Sequence, residues 1–154
     1  MTINVLFVCL GNICRSPMAE GIFQKLVSDA NLESMIRCDS AGTAGYHIGD
    51  LPDHRTRKVS SRYGITLTHQ GRKLEVSDFV QFHYIMAMDR SNHEDILSLK
   101  KRNPASIATI KLIREFEPEP HFPQDVPDPY YGGLQDFENI YQILLRCNQT
   151  FLAH

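Results

Sequence analysis

The chain is expected to fold as α/β, an open parallel sheet with helices on both faces. Three observations lead there. Short apolar, β-branched runs alternate with longer stretches of helical periodicity along the 154 residues. The first run, Ile3, Val5, Leu6, Phe7 and Val8, is apolar at both alternating sets of positions, as a strand covered on both faces must be. The composition, 42% hydrophobic and 22% charged with no repeat and no low-complexity segment, is that of one ordinary globular core.

Taken in order, the first strand reaches Cys9, and Leu10-Gly11-Asn12-Ile13-Cys14-Arg15 makes a tight loop before a helix. Ser16 is the expected N-cap, with Pro17 at the first helical position, where its missing N–H is no loss. Met18, Ile22, Leu26 and Ala30 recur every four residues and give this helix a face for the sheet. Gly11 and Asn12 can take left-handed backbone angles, so the loop can aim several N–H groups inward at a helix N-terminus. That arrangement is an anion cradle. The dipoles, helix end and Arg15 charge that would hold a tetrahedral dianion also favour thiolate over thiol at Cys9. The planar fork of Arg15 can bind two oxygens of one phosphoryl group.

Met35 to Asp39 reads as a second strand, followed by Ser40-Ala41-Gly42, whose small side chains let a backbone pass close to the first loop. Tyr46 lies in a loop flanked by Gly45 and Gly49. Pro52 opens a polar helix that runs to Tyr63 with Gly64 as its stop, and Arg55, Arg57, Lys58 and Arg62 make it read as a solvated face. His69 and Arg72 fall in a segment with little periodicity. Tyr84 to Met88 is a third strand closed by Asp89, and Ser91 with Glu94 has the capping-box spacing that starts a helix, stopped by Asn103-Pro104. Ile107, Ile110, Leu112 and Ile113 suggest a fourth strand. Glu115 to Gly133 reads as a long rigid loop, because five of the eight prolines (Pro118, Pro120, Pro123, Pro127, Pro129) fall there. Phe137, Ile140, Tyr141, Leu144 and Phe151 then mark a core-facing final helix.

In an open parallel sheet, ligands bind beyond the carboxyl ends of strands where the winding reverses. Cys9 and Asp89 end the first and third strands, so Asp89 can orient Arg15 or the loop. A thiolate that attacks a phosphate monoester needs the leaving oxygen protonated as it departs. Asp128, fixed between Pro127 and Pro129 and followed by Tyr130-Tyr131, is the acid of choice; Asp125 is the runner-up. A formal charge of −2 with no basic run argues against nucleic acid as a partner. The apolar runs are too short to span a bilayer and the N-terminus lacks a secretory pattern, which points to a cytoplasmic protein without a membrane partner. Cys9, Cys14, Cys38 and Cys147 make neither a disulfide scaffold nor a Cys-x-x-Cys metal pair, so reduced thiols and no metal are expected.

Val5 through Glu20 resembles the signature loop of the low-molecular-weight protein tyrosine phosphatases. The resemblance continues in Asp39-Ser40-Ala41-Gly42-Thr43, His69-Gln70-Gly71-Arg72, Met88-Asp89-Arg90-Ser91-Asn92 and Val126 to Gly133, in the family's order and over nearly the whole chain. It implies one domain over residues 1–154, a flavodoxin-like sheet of four strands in the order 2-1-3-4, and hydrolysis of phosphotyrosine in proteins through a cysteinyl-phosphate, with no cofactor and no metal. Cys9, Arg15 and Asp128 would be catalytic. Leu10, Gly11, Asn12, Ile13, Cys14 and Ser16 would surround the phosphate, with Ser16 helping the sulfur leave. Tyr46, Tyr130 and Tyr131 would flank the substrate ring. Ser40, His69, which would bond Asn12, and Asp89 would support the loop. Gly71 stands where many relatives are expected to carry Ala. Implied partners are phosphotyrosine proteins, with inorganic phosphate as product, and the chain is expected to be a monomer or weak homodimer. Cys9 and Cys14 would be near enough to join on oxidation. Three alternatives remain. An arsenate reductase of this fold needs two further cysteines, which residues 78–92 lack. A phosphoarginine phosphatase would carry Thr where this chain has Ile13. A non-catalytic phosphate-binding or redox-sensing module would not need both Cys9 and Asp128.

Overall fold

The structure, a computed structural model, describes residues 2–119 and 124–154. Four parallel strands form one sheet in the order β2-β1-β3-β4: β1 Ile3–Cys9, β2 Ile36–Gly42, β3 Tyr84–Ala87 and β4 Thr109–Leu112. The expected architecture and strand order are both observed. β1 lies between β2 and β3, so its neighbours face it on both edges. Because side chains alternate along a strand, Val5, Phe7 and Cys9 enter one core while Leu6 and Val8 enter the other. The first core is closed by α1 (Arg15–Asp29), α2 (His54–Arg62) and α5 (Leu134–Ala153), through Met18, Ile22, Phe23, Val59, Phe137 and Leu144. The second is closed by α3 (Asp78–Gln81) and α4 (Arg90–Lys100), through Phe79 and Ile96.

Several boundaries differ from the sequence reading, each for a definable reason. α1 begins at Arg15, its first internal bond running from Met18 N to Cys14 O at 3.4 Å. Ser16 is therefore not the N-cap, because its hydroxyl is used inside the loop before it. α4 begins at Arg90 with Asp89 as N-cap, whose Oδ1 accepts from Asn92 N at 2.7 Å, two residues ahead of the Ser91 box. α2 is capped by Asp53, which accepts from Arg55 N at 2.9 Å, so Pro52 precedes the helix rather than opening it. β2 runs to Gly42, past the expected end at Asp39, because its register with β1 continues to the pair Cys9–Gly42. Ile113 leaves β4 for a 3-10 turn, Ile113–Phe116. The four-residue α3 has too few turns for a periodic signal and was not expected. Within the proline-rich stretch, Pro120 and Pro123 lie outside the described residues.

Candidate active site

Cys9 is the last residue of β1, and the loop that follows returns through Asn12, the loop's residue with a left-handed backbone, φ 58°. Gly11 does not adopt a positive φ. Asn12 N donates to Cys9 Sγ at 3.3 Å, so the loop closes around the sulfur. The strained turn is held by its own amide. Oδ1 accepts from Arg72 N at 3.0 Å and lies 2.7 Å from His69 Nε2, while Nδ2 donates to Ser16 Oγ at 2.8 Å and Ser40 Oγ at 3.0 Å. Arg72 N can only donate, which fixes the amide orientation and makes His69 Nε2 a donor as well. The other ring nitrogen of His69 lies 3.3 Å from Glu20 Oε1 and 3.2 Å from Asp39 Oδ1. Ser40 donates to Glu20 Oε1 at 2.6 Å. The Glu20 carboxyl is raised above its usual range by burial.

Asn12 and Ser16, expected among the residues around the phosphate, are 1% and 0% exposed and brace the loop from behind. Ser16 Oγ already accepts from Asn12, which leaves its O–H for Cys9 Sγ at 3.0 Å, the nearer of its two acceptors. Gly42 passes so close that a Cβ there would lie 2.7 Å from Leu10 O, so the end of β2 needs glycine.

Arg15, 3% exposed, points back toward β3. Its Nη1 donates to Asp89 Oδ2 at 2.7 Å and to Val126 O at 2.9 Å, which aims the guanidinium. Burial opposes the charge, yet the Cys9 sulfur and the Asp89 carboxylate raise its pKa above arginine's ordinary value. Asp128 Oδ2 lies 3.9 Å from Arg15 Nη2, and its other oxygen accepts from Tyr130 N at 3.1 Å.

These groups meet in one cavity of about 290 Å³, lined by Cys9, Leu10, Gly11, Ile13, Cys14, Arg15, Tyr46, His47, Asp128, Tyr130 and Tyr131. Tyr46 and Tyr131 are largely exposed at its mouth, and the Tyr130 and Tyr131 rings meet edge to face at 5.0 Å. His47 was missed by sequence reasoning; its place beside Tyr46 was the only signal. Asp125, the alternative acid, lies elsewhere. Its carboxylate takes Arg90 N at 2.9 Å and the Arg90 side chain at 3.2 and 3.3 Å, contacts that hold its pKa below the usual carboxylate range. All four cysteines are free. Burial, reinforced by Asp53, Cys9 and Asp128, pushes the Cys14 thiol up to about 12.

Arg55 also departs from expectation. Its side chain does not belong to a solvated face: it is held by Asp53 and donates to Gly132 O at 2.8 Å and Tyr130 O at 2.9 Å, on the segment that carries Asp128.

Residues 4–154 match the family model described as low molecular weight phosphotyrosine protein phosphatase. The Homo sapiens protein of that name is 44% identical over 151 residues, covering 98% of this chain and 94% of the human one. Among solved structures, a protein tyrosine phosphatase from Entamoeba histolytica with Hepes in its active site superposes with a TM-score of 0.90 at 36% identity, over 99% of this chain and 96% of that one. A drosophila arginine phosphatase superposes with a TM-score of 0.92 at 34% identity, over 97% and 96%.

Proposed function

Since the chain belongs to the low molecular weight phosphotyrosine protein phosphatases, we propose that Cys9, Arg15 and Asp128 carry out its hydrolysis of phosphotyrosine in proteins. The observation that carries this assignment is convergence. Cys9 and Arg15, from the two ends of one loop, meet Asp128, more than a hundred residues later in the chain, in one cavity whose walls include Tyr46 and Tyr130. Cys9 Sγ attacks phosphorus in line, while the loop, the N-terminus of α1 and the Arg15 guanidinium hold the equatorial oxygens. The S–P bond forms as the P–O bond to the tyrosine oxygen breaks, and Asp128 gives that oxygen its proton. The resulting carboxylate then takes a proton from water, whose oxygen attacks the cysteinyl-phosphate. Phosphate leaves, and sulfur departs as thiolate with the Ser16 hydroxyl 3.0 Å away to receive its charge.

The test is turnover of an aryl phosphate with chelator present. Wild type is expected to be active, Cys9→Ser inert, and Asp128→Ala reduced by about 10²–10⁴-fold, the usual weight of a general acid. Activity of Cys9→Ser above background ends the assignment. A second reading, phosphoarginine hydrolysis, draws on the likeness to the drosophila arginine phosphatase. Ile13 and the tyrosines around the cavity favour a flat ring instead, and phosphotyrosine and phosphoarginine peptides assayed side by side decide between them.

Free thiols fit a reducing, cytoplasmic setting, and none of the helices among the described residues is long and apolar enough to cross a membrane. We read the protein as a monomer or weak homodimer that needs no cofactor, which sedimentation and the chelator assay check.

A further inference from the structure

The segment that carries Asp128 is anchored on both sides of it. Upstream, Val126 N donates to Met88 O at 2.8 Å and Val126 O accepts from Arg15 at 2.9 Å, so this end is tied to the exit of β3. Downstream, the Arg55 guanidinium grips Tyr130 O at 2.9 Å and Gly132 O at 2.8 Å. That guanidinium lies 4.5 Å from the centre of the Phe137 ring in the first turns of α5 and 5.8 Å from that of Tyr130.

Arg55 is itself held. Asp53 Oδ1 accepts from its Nε and Oδ2 from its Nη2, both at 3.0 Å. Partial burial works against the Asp53 charge, but the Arg55 hydrogen bonds outweigh it and keep the carboxyl below its usual range. Asp53 in turn is joined to the phosphate loop, its backbone N donating to Ile13 O at 2.8 Å. A continuous series of short bonds therefore runs from the loop around Cys9, through Asp53 and Arg55, to the carbonyl of Tyr130. The N–H of that same residue, Tyr130, fixes the Asp128 carboxylate at 3.1 Å.

We propose that Arg55, gripped by Asp53, is a positioning residue for proton transfer: a strut between the nucleophile loop and the acid segment that sets where Asp128 stands relative to Cys9. The inference rests on Asp128 as the proton donor. Its physical content is that one planar cation satisfies two carbonyls and one carboxylate at once, which a flexible ammonium cannot do. With the strut gone, the acid segment loses its side-chain grip between Asp128 and the start of α5 at Leu134, and Asp128, half exposed already, drifts from the leaving oxygen.

A displaced acid is felt most by leaving groups that need a proton. The experiment measures kcat/KM for aryl phosphates from 2,4-dinitrophenyl phosphate, whose phenol leaves unaided, to a phosphotyrosine peptide, whose phenol has a pKa of about 10. Wild type, Asp128→Asn, Arg55→Ala and Arg55→Lys are compared, with inhibition by inorganic phosphate as the measure of an intact cradle. Arg55→Ala is expected to lose about 10–100-fold on the peptide and no more than about threefold on the dinitrophenyl ester, as a misplaced acid would. The dependence on leaving-group pKa then steepens toward that of Asp128→Asn, and phosphate inhibition stays within about twofold. Arg55→Lys, which can satisfy only part of the fork, should fall between, and it keeps the test open should Arg55→Ala fold poorly. Equal losses on every ester, or none, in both Arg55 variants would overturn the strut while Asp128→Asn still shows its steep dependence. A shallow dependence in Asp128→Asn removes the acid assignment, and the inference with it.

Discussion

At the scale of single residues, Asn12 shows how one side chain holds a loop. All four of its amide bonds are made inside the protein, and its backbone has φ 58°. Asn12→Ala removes the N–H that Ser16 and Ser40 accept, strands the donors of His69 and Arg72, and places Ala in the left-handed region. A loss of about 2–4 kcal/mol is expected in urea unfolding, from buried polar groups left unpaired and from backbone strain. A loss below about 1 kcal/mol would mean that the network tolerates water in its place. Gly71 works by absence. A Cβ there would overlap the carbonyl of His47, which lines the cavity next to Tyr46. Gly71→Ala should therefore raise KM for phosphotyrosine peptides several-fold and leave kcat almost unchanged, since only the wall of the slot moves. The position where Ala was expected thus shapes this chain's slot. Cys9 and Cys14 both line the cavity as free thiols. Peroxide is expected to join them with release of two waters, seen as a Cys9–Cys14 peptide by mass spectrometry; its absence removes the proposal.

At the scale of elements, Asp89 serves two at once. Oδ1 caps α4 through Asn92 N, and Oδ2 receives Arg15 Nη1 at 2.7 Å. The two roles separate by substitution. Asp89→Asn keeps an oxygen for the cap but can turn an NH₂ toward a guanidinium that can only donate, so kcat/KM should fall while stability changes little. Asp89→Ala should lose activity together with about 1 kcal/mol of stability, the usual weight of an N-cap. Thermal unfolding and kinetics on the pair check this, and equal stability losses would assign the cap no part. The same economy explains the shifted start of α1. Ser16 carries the pattern of an N-cap, but a hydroxyl turned toward sulfur and a buried amide cannot also cap a helix.

For the whole molecule, charge pairing sets the pH range of stability. Asp39, Asp53, Glu117, Asp125 and Glu138 all have folded pKa values below their ordinary ones. Arg55 and Arg90 hold two of them, and Arg114 and Arg146 together hold Glu117. A depressed carboxylate contributes stability that is present above its unfolded pKa of about 4 and is lost as pH falls through the folded value. Glu20, raised by burial, opposes this in part. On the alkaline side burial raises Cys38, and pushes Cys14 and Cys147 up to about 12. Folded thiols of this kind contribute stability below the ordinary thiol pKa of about 8.5, and lose it as pH rises from there. Tm plotted against pH should be flat from about 5 to 8 and fall on both sides. A flat plot below pH 4 would show that the ion pairs add nothing.

Local pattern was enough for the strand, loop and helix around Cys9 and for the parallel α/β architecture, and it singled out Arg15 and Asp128, which line one cavity with Cys9. Those readings depend on periodicity and on short-range backbone chemistry, which a chain displays along its length. The reading of Asp128 over Asp125 drew on its prolines, and the fold supplies a separate support for it. Arg90 binds one carboxylate, and the other is brought to Arg15 by the tie between Val126 and the end of β3. His47 had no signal beyond its place beside Tyr46, and the Asp53–Arg55 strut had none, because each meets its neighbours across contacts between segments distant in sequence. A parallel sheet creates such contacts only when its strands take their final register, and that register is a property of packing, not of any one stretch of chain.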